Sequence, residues 1–180
     1  MKFSVAVEYA LHGLIYMAGL EENKSIRIQD MSRFQGISES YLSKTYAKLA
    51  KAGIISSAAG AKGGYRLSRP AEQISFWDVI EAIEGKEPLF RCEELRCKSI
   101  SVNIDALPEE YTNTPCLISR VMHDAENEMK RYLSGKNIGW LYDQVFNRKF
   151  SPEEKERALR WFRDNVCGQP GDDGCYDRLS

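Results

Sequence analysis

The sequence has no run of about 18 apolar residues, and so no stretch able to cross a membrane as a helix. It also has almost no net charge: 25 Lys and Arg stand against 26 Asp and Glu, a formal balance of −1. Taken whole, that balance says nothing about nucleic acid. There is no internal repeat, which excludes solenoids and propellers. A nucleotide-binding P-loop is absent too. Gly60-Ala61-Lys62-Gly63-Gly64 has the wrong spacing, and no Ser or Thr follows the lysine. The apolar start from Met1 to Leu20 could pass for a secretory leader, but Glu8 and His12 interrupt it and no small-residue cleavage site follows. The expected location is therefore the cytoplasm. In that reducing compartment the five cysteines are not expected to form structural disulfides, which leaves buried thiols, metal ligands or redox sensors.

What is present divides unevenly. Residues 1–70 hold ten Lys and Arg against five Asp and Glu, and the remainder holds fifteen against twenty-one. A basic first half joined to an acidic second half suggests a polyanion-facing module carrying a sensing or partner-facing one. With 43% hydrophobic and 28% charged residues, 180 residues can bury one good core, or a small domain plus an appended element.

Val5, Tyr9, Leu11, His12, Ile15, Tyr16 and Leu20 recur at roughly helical spacing and predict a first helix with these as its apolar positions. A short second helix is expected over Ile26 to Phe34, followed by Gly36 in a left-handed conformation. Ser38 is a natural N-cap, with Glu39 in the first turn where the helix dipole favours an anion. The third helix then runs to Ala52 and stops at Gly53. Its Leu42, Tyr46 and Leu49 recur at i, i+4 and i+7 and point inward, while Lys44, Lys48 and Lys51 project outward together. Two helices joined by a Gly-containing turn, the second with a lysine stripe, form a helix-turn-helix pattern. Alone, the stripe also fits the solvated face of a bundle helix. The residues after Gly53 favour the helix-turn-helix: Ile54-Ile55 and Tyr65-Arg66-Leu67 are short strands on either side of the flexible stretch from Ser56 to Gly64. A hairpin in that place is a wing. Lys62, Arg66 and Arg69 give it phosphate-contacting charge, and Gly63 and Gly64 let backbone approach a sugar-phosphate chain.

Ser75 and Asp78 form a capping-box-like start to a helix that ends at Gly85. From Lys86 to Asn113 periodicity is lost and two cysteines appear. Thr114 as N-cap and Pro115 at the first helical position open a long helix. Its Ile118, Val121, Met122, Ala125, Met129, Tyr132 and Leu133 keep one apolar face over about five turns. Such a stripe suits dimerisation, the alternative being packing on its own domain. Ser151-Pro152-Glu153-Glu154 starts a further helix with Leu159, Phe162 and Val166 inside, and the Gly- and Asp-rich tail from Cys167 is expected to be disordered. The expected fold is mainly α with a small β-hairpin wing, a winged helix-turn-helix plus a long dimerisation helix. Its parts are the DNA-binding domain over 1–85, a cysteine-containing sensing loop over 86–113, the dimerisation helix over 114–141, a helical extension over 142–166 and the tail over 167–180.

The string Ile37-Ser38-x-x-Tyr41-Leu42, then Leu49-x-x-Ala52-Gly53-Ile54, then Gly60-x-x-Gly63-Gly64-Tyr65-x-Leu67, closely resembles the Rrf-two family of winged-helix transcription regulators. The likeness continues through Ile74-x-x-x-Asp78-Val79-x-x-Ala82-x-Glu84-Gly85 to Cys116 and the long helix. It implies a homodimer that binds a palindromic double-stranded DNA operator, and no enzymatic activity. Ser38, Ser40, Tyr41, Ser43, Lys44, Lys48, Lys51, Lys62, Gly63, Gly64 and Arg66 are the residues expected to face DNA. Lys44 is placed for a base edge, and Ser40 for a base or a phosphate. Two departures bear on recognition. Family members often carry Arg just before the first wing glycine, where this chain has Ala59. Many carry Glu-Gln where this chain has Ser43-Lys44. The operator of a relative therefore does not transfer.

Cluster-binding members of the family place three closely spaced cysteines before the long helix. Here the pattern is Cys92-x4-Cys97-x18-Cys116, with a longer second gap. The resemblance implies an iron–sulfur cluster, the two-iron form ahead of the four-iron one, held by soft thiolate donors. In the family a further ligand can be an acid on the first helix of the second subunit. Glu8 sits at the matching place, and His12, one turn on, shares its face. Some atypical members use Glu plus His from one subunit and two widely spaced cysteines from the other, which the Cys97–Cys116 gap resembles. Replacing thiolates by carboxylate and imidazole raises the potential of such a centre. Taken alone, Glu8 also fits a solvated helix acid, His12 a packed interior histidine, and Cys92 with Cys97 buried thiols or a reversible disulfide. The signal is then redox state, nitric oxide or iron–sulfur status. In the cluster-free alternative it is thiol oxidation or a protein partner. His123 reads as surface, and Cys167 and Cys175 as incidental. A thiol-dependent enzyme would need a nucleophile–base pair or cofactor loop near Cys92 or Cys97, and the sequence supplies neither.

Overall fold

A computed structural model describes residues 2–21, 24–57, 63–98, 107 and 109–165. They fall into two compact units, Lys86–Leu133 and a larger one made of Lys2–Gly85 with the described chain from Ser134 onward. The larger unit opens with α1 (Val5–Ala18), α2 (Ile28–Gln35) and α3 (Glu39–Lys51). The hairpin β1 (Ile55–Ser57) and β2 (Tyr65–Leu67), a 3₁₀ turn over Ala71–Gln73 and α4 (Phe76–Glu84) come next. The smaller unit contains α5 (Leu95–Lys98), α6 (Glu109–Asn113) and the body of α7 (Leu117–Ser134). The chain then rejoins the larger unit through α8 (Ile138–Tyr142), which runs on as a π-helix over Asp143–Lys149, and α9 (Pro152–Asn165).

Helix α1 is the axis of the larger unit, packed on α3, α4 and α8. Ser4 precedes it and donates from its N–H and Oγ to the Glu84 carboxylate at 2.7 and 2.8 Å, tying the start of α1 to the end of α4. Its buried residues include Val7, Ala10, Gly13, Leu14, Ile15 and Met17, whereas Val5 and His12 are exposed and Tyr9, Leu11 and Tyr16 are half-buried. The apolar set expected from large side chains is thus displaced around the helix. The reason is close approach: α3 lies against Gly13, where a Cβ would stand 2.1 Å from the Tyr46 hydroxyl. That hydroxyl is buried without a hydrogen-bond partner among the described residues, and burial pushes the phenol far above its usual range. Gly13→Ala is expected to cost about 1–3 kcal/mol by overpacking, read from urea denaturation. Tyr46→Phe in the same chain should recover part of that loss, because it removes the nearest clashing atom, which is also an unsatisfied polar one, while the ring carbon at 3.0 Å remains.

Helix α3 buries Leu42, Tyr46 and Leu49 as its spacing predicts. Gly36 closes α2 at φ 66°, and Ser38 stands at the N-cap of α3, although its side chain makes no capping bond; its carbonyl accepts the Tyr41 and Leu42 N–H groups instead. Ile26 departs from the expected second helix. It pairs with Tyr65 through two backbone hydrogen bonds of 2.9 and 2.8 Å, so the helix starts at Ile28. Gly64 is buried beneath this pairing, and a Cβ there would meet the Ile26 backbone at 2.7 Å. The hairpin pairs Ile55 with Leu67, Ser56 with Arg66 and Ser57 with Tyr65.

The capping box of α4 is present in both directions, at 3.0 and 2.9 Å. The long helix is shorter than expected. It begins at Leu117 and ends at Ser134, because Cys116 rather than Thr114 takes the position before its first turn: the Cys116 carbonyl accepts the Arg120 N–H at 2.9 Å. Beyond Ser134 the chain bonds back to α4, with Phe76 donating to Lys136 and Ile138 to Ile74, and Asn137 caps the separate helix α8. Helix α9 starts with a Ser151–Glu154 box, as expected. It lays Phe162 against Tyr16 of α1 and Phe34 of α2, with ring centroids 4.9 and 4.4 Å apart. Val166 and the tail lie outside the described residues.

Candidate functional site

The outer face of α3 presents Ser38, Ser40, Tyr41, Lys44, Lys48 and Lys51 to solvent, with Ser43 half-buried. The lysine stripe is not uniform. Lys48 donates from Nζ to the Ile83 carbonyl at 2.6 Å, neutralising the C-terminal end of α4, so its charge is partly committed within the fold. Lys44 and Lys51 are exposed on the same face, and Arg66 is exposed on β2. Arg69 bonds the Gln73 carbonyl and Asp78, which assigns it to the start of α4. Gly63 is half-buried and Gly64 buried, so packing on Ile26 accounts for the second glycine. Lys62 and Ala59 lie outside the described residues.

A second site stands in the smaller unit. Cys92, Glu94 and Cys116 bring one ligand atom each within 4.8 Å of one another. Cys92 is exposed, and Cys116 is half-buried at the start of the eighteen-residue α7. The N–H of Ser119, then that of Ile118, and the nearby Arg96 guanidinium hold the Cys116 thiol below its ordinary range. Arg96 organises the group. Its Nε donates to Glu94 Oε1 at 2.6 Å, its Nη2 donates to the Thr114 carbonyl at 3.1 Å, and its guanidinium lies 5.2 Å from the centre of the Tyr111 ring. The hydrogen bond from Arg96 holds the Glu94 carboxyl below the usual carboxylate range, and the other oxygen, Oε2, lies 3.9 Å from Cys92 Sγ. Of the three cysteines singled out by spacing, the structure gathers Cys92 with Cys116; Cys97, half-buried on α5, is not in the group. Glu94 was not visible as a site residue. Its position depends on a backbone φ of 49°, which nothing in its residue type announces.

Glu8 and His12 belong to the larger unit. Both are exposed on one face of α1, which removes the interior-histidine alternative. They line an open, mostly apolar cavity of about 820 Å³ together with Leu11, Ile15, Phe76 and Phe146. They also line a smaller one of about 260 Å³ with Tyr9, Phe34 and Gln35. Tyr9, next to Glu8, meets Tyr41 of α3 edge-on at 5.7 Å, a link between this face and the exposed face of α3 that sequence spacing did not single out. His123 is on the surface, 3.9 Å from Glu126. Cys167 and Cys175 lie outside the described residues, and among those described no helix is long and apolar enough to cross a membrane.

The family model Rrf2, described as "Iron-dependent Transcriptional regulator", matches residues 3–144. The chain is 28% identical over 142 residues to the HTH-type transcriptional regulator IscR of Vibrio campbellii, covering 78% of this chain and 77% of that one. The crystal structure of the oxidised form of Staphylococcus aureus CymR is similar at a TM-score of 0.57 and 27% identity, over 81% of this chain and 98% of that one. The structure of T. potens IscR has a TM-score of 0.60 over 84% of this chain and 93% of that one; at 19% identity it speaks for the fold alone. The mostly helical chain with its two-stranded hairpin has the winged-helix fold of these structures, and its curated relatives are named as regulators and not as enzymes. A winged helix with an exposed basic face, matched by the family model over most of its length, makes this chain a member of the Rrf2 family of DNA-binding transcriptional regulators.

Proposed function

We propose that the chain acts as a cytoplasmic homodimer on a palindromic operator and reads redox state, nitric oxide or iron–sulfur status through an iron–sulfur cluster. Cys92 and Cys116 of one copy and Glu8 and His12 of the other would hold a two-iron form; a four-iron form would draw on Cys97. The observation that carries this reading is the approach of Cys92 and Cys116 at the start of α7. The donor chemistry fits such a group: two thiolates are available within one chain, the Arg96 guanidinium stands beside that of Cys116, and a carboxylate and an imidazole are exposed one turn apart on α1. When bound, the cluster supplies a redox-active, nitric-oxide-reactive centre.

The chain's own residues pass a change at Glu8 and His12 to DNA. Helix α1 meets α3 at Gly13 and Tyr46 with no slack, and Tyr9 abuts Tyr41, so a displacement of α1 moves the recognition helix. A dimer reads half-sites about 34–36 Å apart, and a small rotation of either recognition helix breaks simultaneous docking.

The test is the absorption spectrum and iron content of anaerobically purified protein and of its Cys92→Ala, Cys97→Ala, Cys116→Ala, Glu8→Ala and His12→Ala variants. Coloured, iron-containing parent protein is expected, with colour lost in the variants at 92 and 116, weakened at 8 and 12, and kept at 97. Colour that survives all five substitutions contradicts the ligand set. A colourless, iron-free parent favours a second reading, thiol oxidation without a cluster, which the thiolate-favouring position of Cys116 supports.

A further inference from the structure

Glu94 has no part in the ligand set above, yet its carboxylate stands with Cys92 and Cys116. We propose that Cys92, Glu94 and Cys116 of a single chain form a binding site for one divalent cation of borderline softness, zinc or ferrous iron, with Arg96 as the residue that positions Glu94. This goes beyond the cluster reading, since it needs neither a second copy nor Glu8 and His12.

Three observations carry it. The first is spacing. The three donor atoms lie within 4.8 Å of one another. Sulfurs bonded at ~2.3 Å to a tetrahedral zinc stand roughly 3.8 Å apart, so side-chain adjustment of about 1 Å closes the site. Two thiolates and one carboxylate leave the fourth position to water, the three-ligand pattern of open zinc sites. The second is orientation. Arg96 holds Oε1 of Glu94 at 2.6 Å and leaves Oε2 on the Cys92 side, 3.9 Å from Sγ. Ligating carboxylates are characteristically fixed by such an outer hydrogen bond. The same guanidinium bonds the Thr114 carbonyl, so it fastens both cysteine-bearing segments at once. The third is backbone. Glu94 adopts a left-handed φ of 49°, unusual for a residue with a Cβ, and such conformations cluster where a side chain must be aimed. With Arg96 paired to Glu94, two thiolates, one carboxylate and one guanidinium sum to two negative charges, which a dication neutralises. Because the site shares both thiols with the proposed cluster, the two occupants exclude each other.

Cobalt(II) is the probe, titrated without oxygen into the reduced, cluster-free full-length protein. One cobalt per chain is expected, with a thiolate-to-cobalt charge-transfer band and the visible bands of tetrahedral coordination, both removed by stoichiometric zinc. Arg96→Ala should weaken cobalt binding by about 10–100-fold. Arg96→Lys, which keeps the charge and a donor, should weaken it less. Glu94→Gln should weaken it at least as much as Arg96→Ala and shift the visible bands. Both residues lie outside the buried core, so the circular dichroism of each variant should match the parent. Glu8→Ala, His12→Ala and Cys97→Ser should titrate as the parent does, which separates this site from the cluster: loss of colour in the first two with cobalt binding intact leaves both readings standing. One cobalt per two chains, a charge-transfer band that depends on Cys97, or Glu94→Gln binding like the parent overturns the proposal.

Discussion

Placing glutamates at Ile118 and Val121 together is expected to leave the chain folded but monomeric and to weaken specific DNA binding by about 10³-fold or more. No residue of α7 is buried within the chain; Ile118 is 67% exposed, Val121 57%, Met122 42% and Tyr132 67%. A continuous apolar stripe left in water is unfavourable and marks an association surface. On the proposed palindromic operator a second copy is the expected occupant, because a monomer would reach only one half-site and fall toward its non-specific affinity. The substitutions remove no buried contact, so unfolding free energy should move by no more than about 0.5 kcal/mol under conditions where the parent is also monomeric. Sedimentation and a duplex titration check both halves. A doubly substituted protein that still sediments as a dimer contradicts the assignment of α7.

Phe162→Ala is expected to cost about 3–5 kcal/mol, a large part of the 5–15 kcal/mol typical of a whole domain. The ring is buried where α9 crosses the helix-turn-helix, 4.4 Å from Phe34, 4.9 Å from Tyr16 and 5.0 Å from Trp161 between centroids. This contact lies beyond residues 3–144, where the family match ends. The extension therefore completes the core of the larger unit. Truncation after Phe150 should destabilise the chain at least as much as the point substitution. Urea denaturation measures both, and a loss below about 1 kcal/mol would show that α9 is dispensable to the fold.

The helix-turn-helix was legible because its signals are local. Gly36 ends one helix, and Leu42, Tyr46 and Leu49 repeat on one face of the next. The capping pairs at Ser75–Asp78 and Ser151–Glu154 were readable for the same reason. The misreadings came from contacts distant in sequence. Ile26 leaves its helix to pair with Tyr65, and α1 buries the side bearing Ala10 and Gly13 because α3 must come close at Gly13. Cys116 displaced Thr114 at the start of α7, which residue preferences do not foresee because thiols are not among the usual N-caps. In the cysteine loop, spacing singled out Cys92, Cys97 and Cys116; the fold gathers the first and the last, and adds Glu94, held by Arg96, which spacing could not show.

The most direct test is selection of sequences from random duplex DNA by anaerobically purified protein, followed by titration of the selected duplex before and after iron is removed by chelation. A dimeric regulator switched at Cys92 and Cys116 should enrich an inverted repeat with half-site centres about 10–10.5 base pairs, or a multiple, apart. Its affinity should fall steeply with salt and change by about 5–150-fold on iron removal. Enrichment of no sequence, a flat salt response, or one affinity in both states would contradict it.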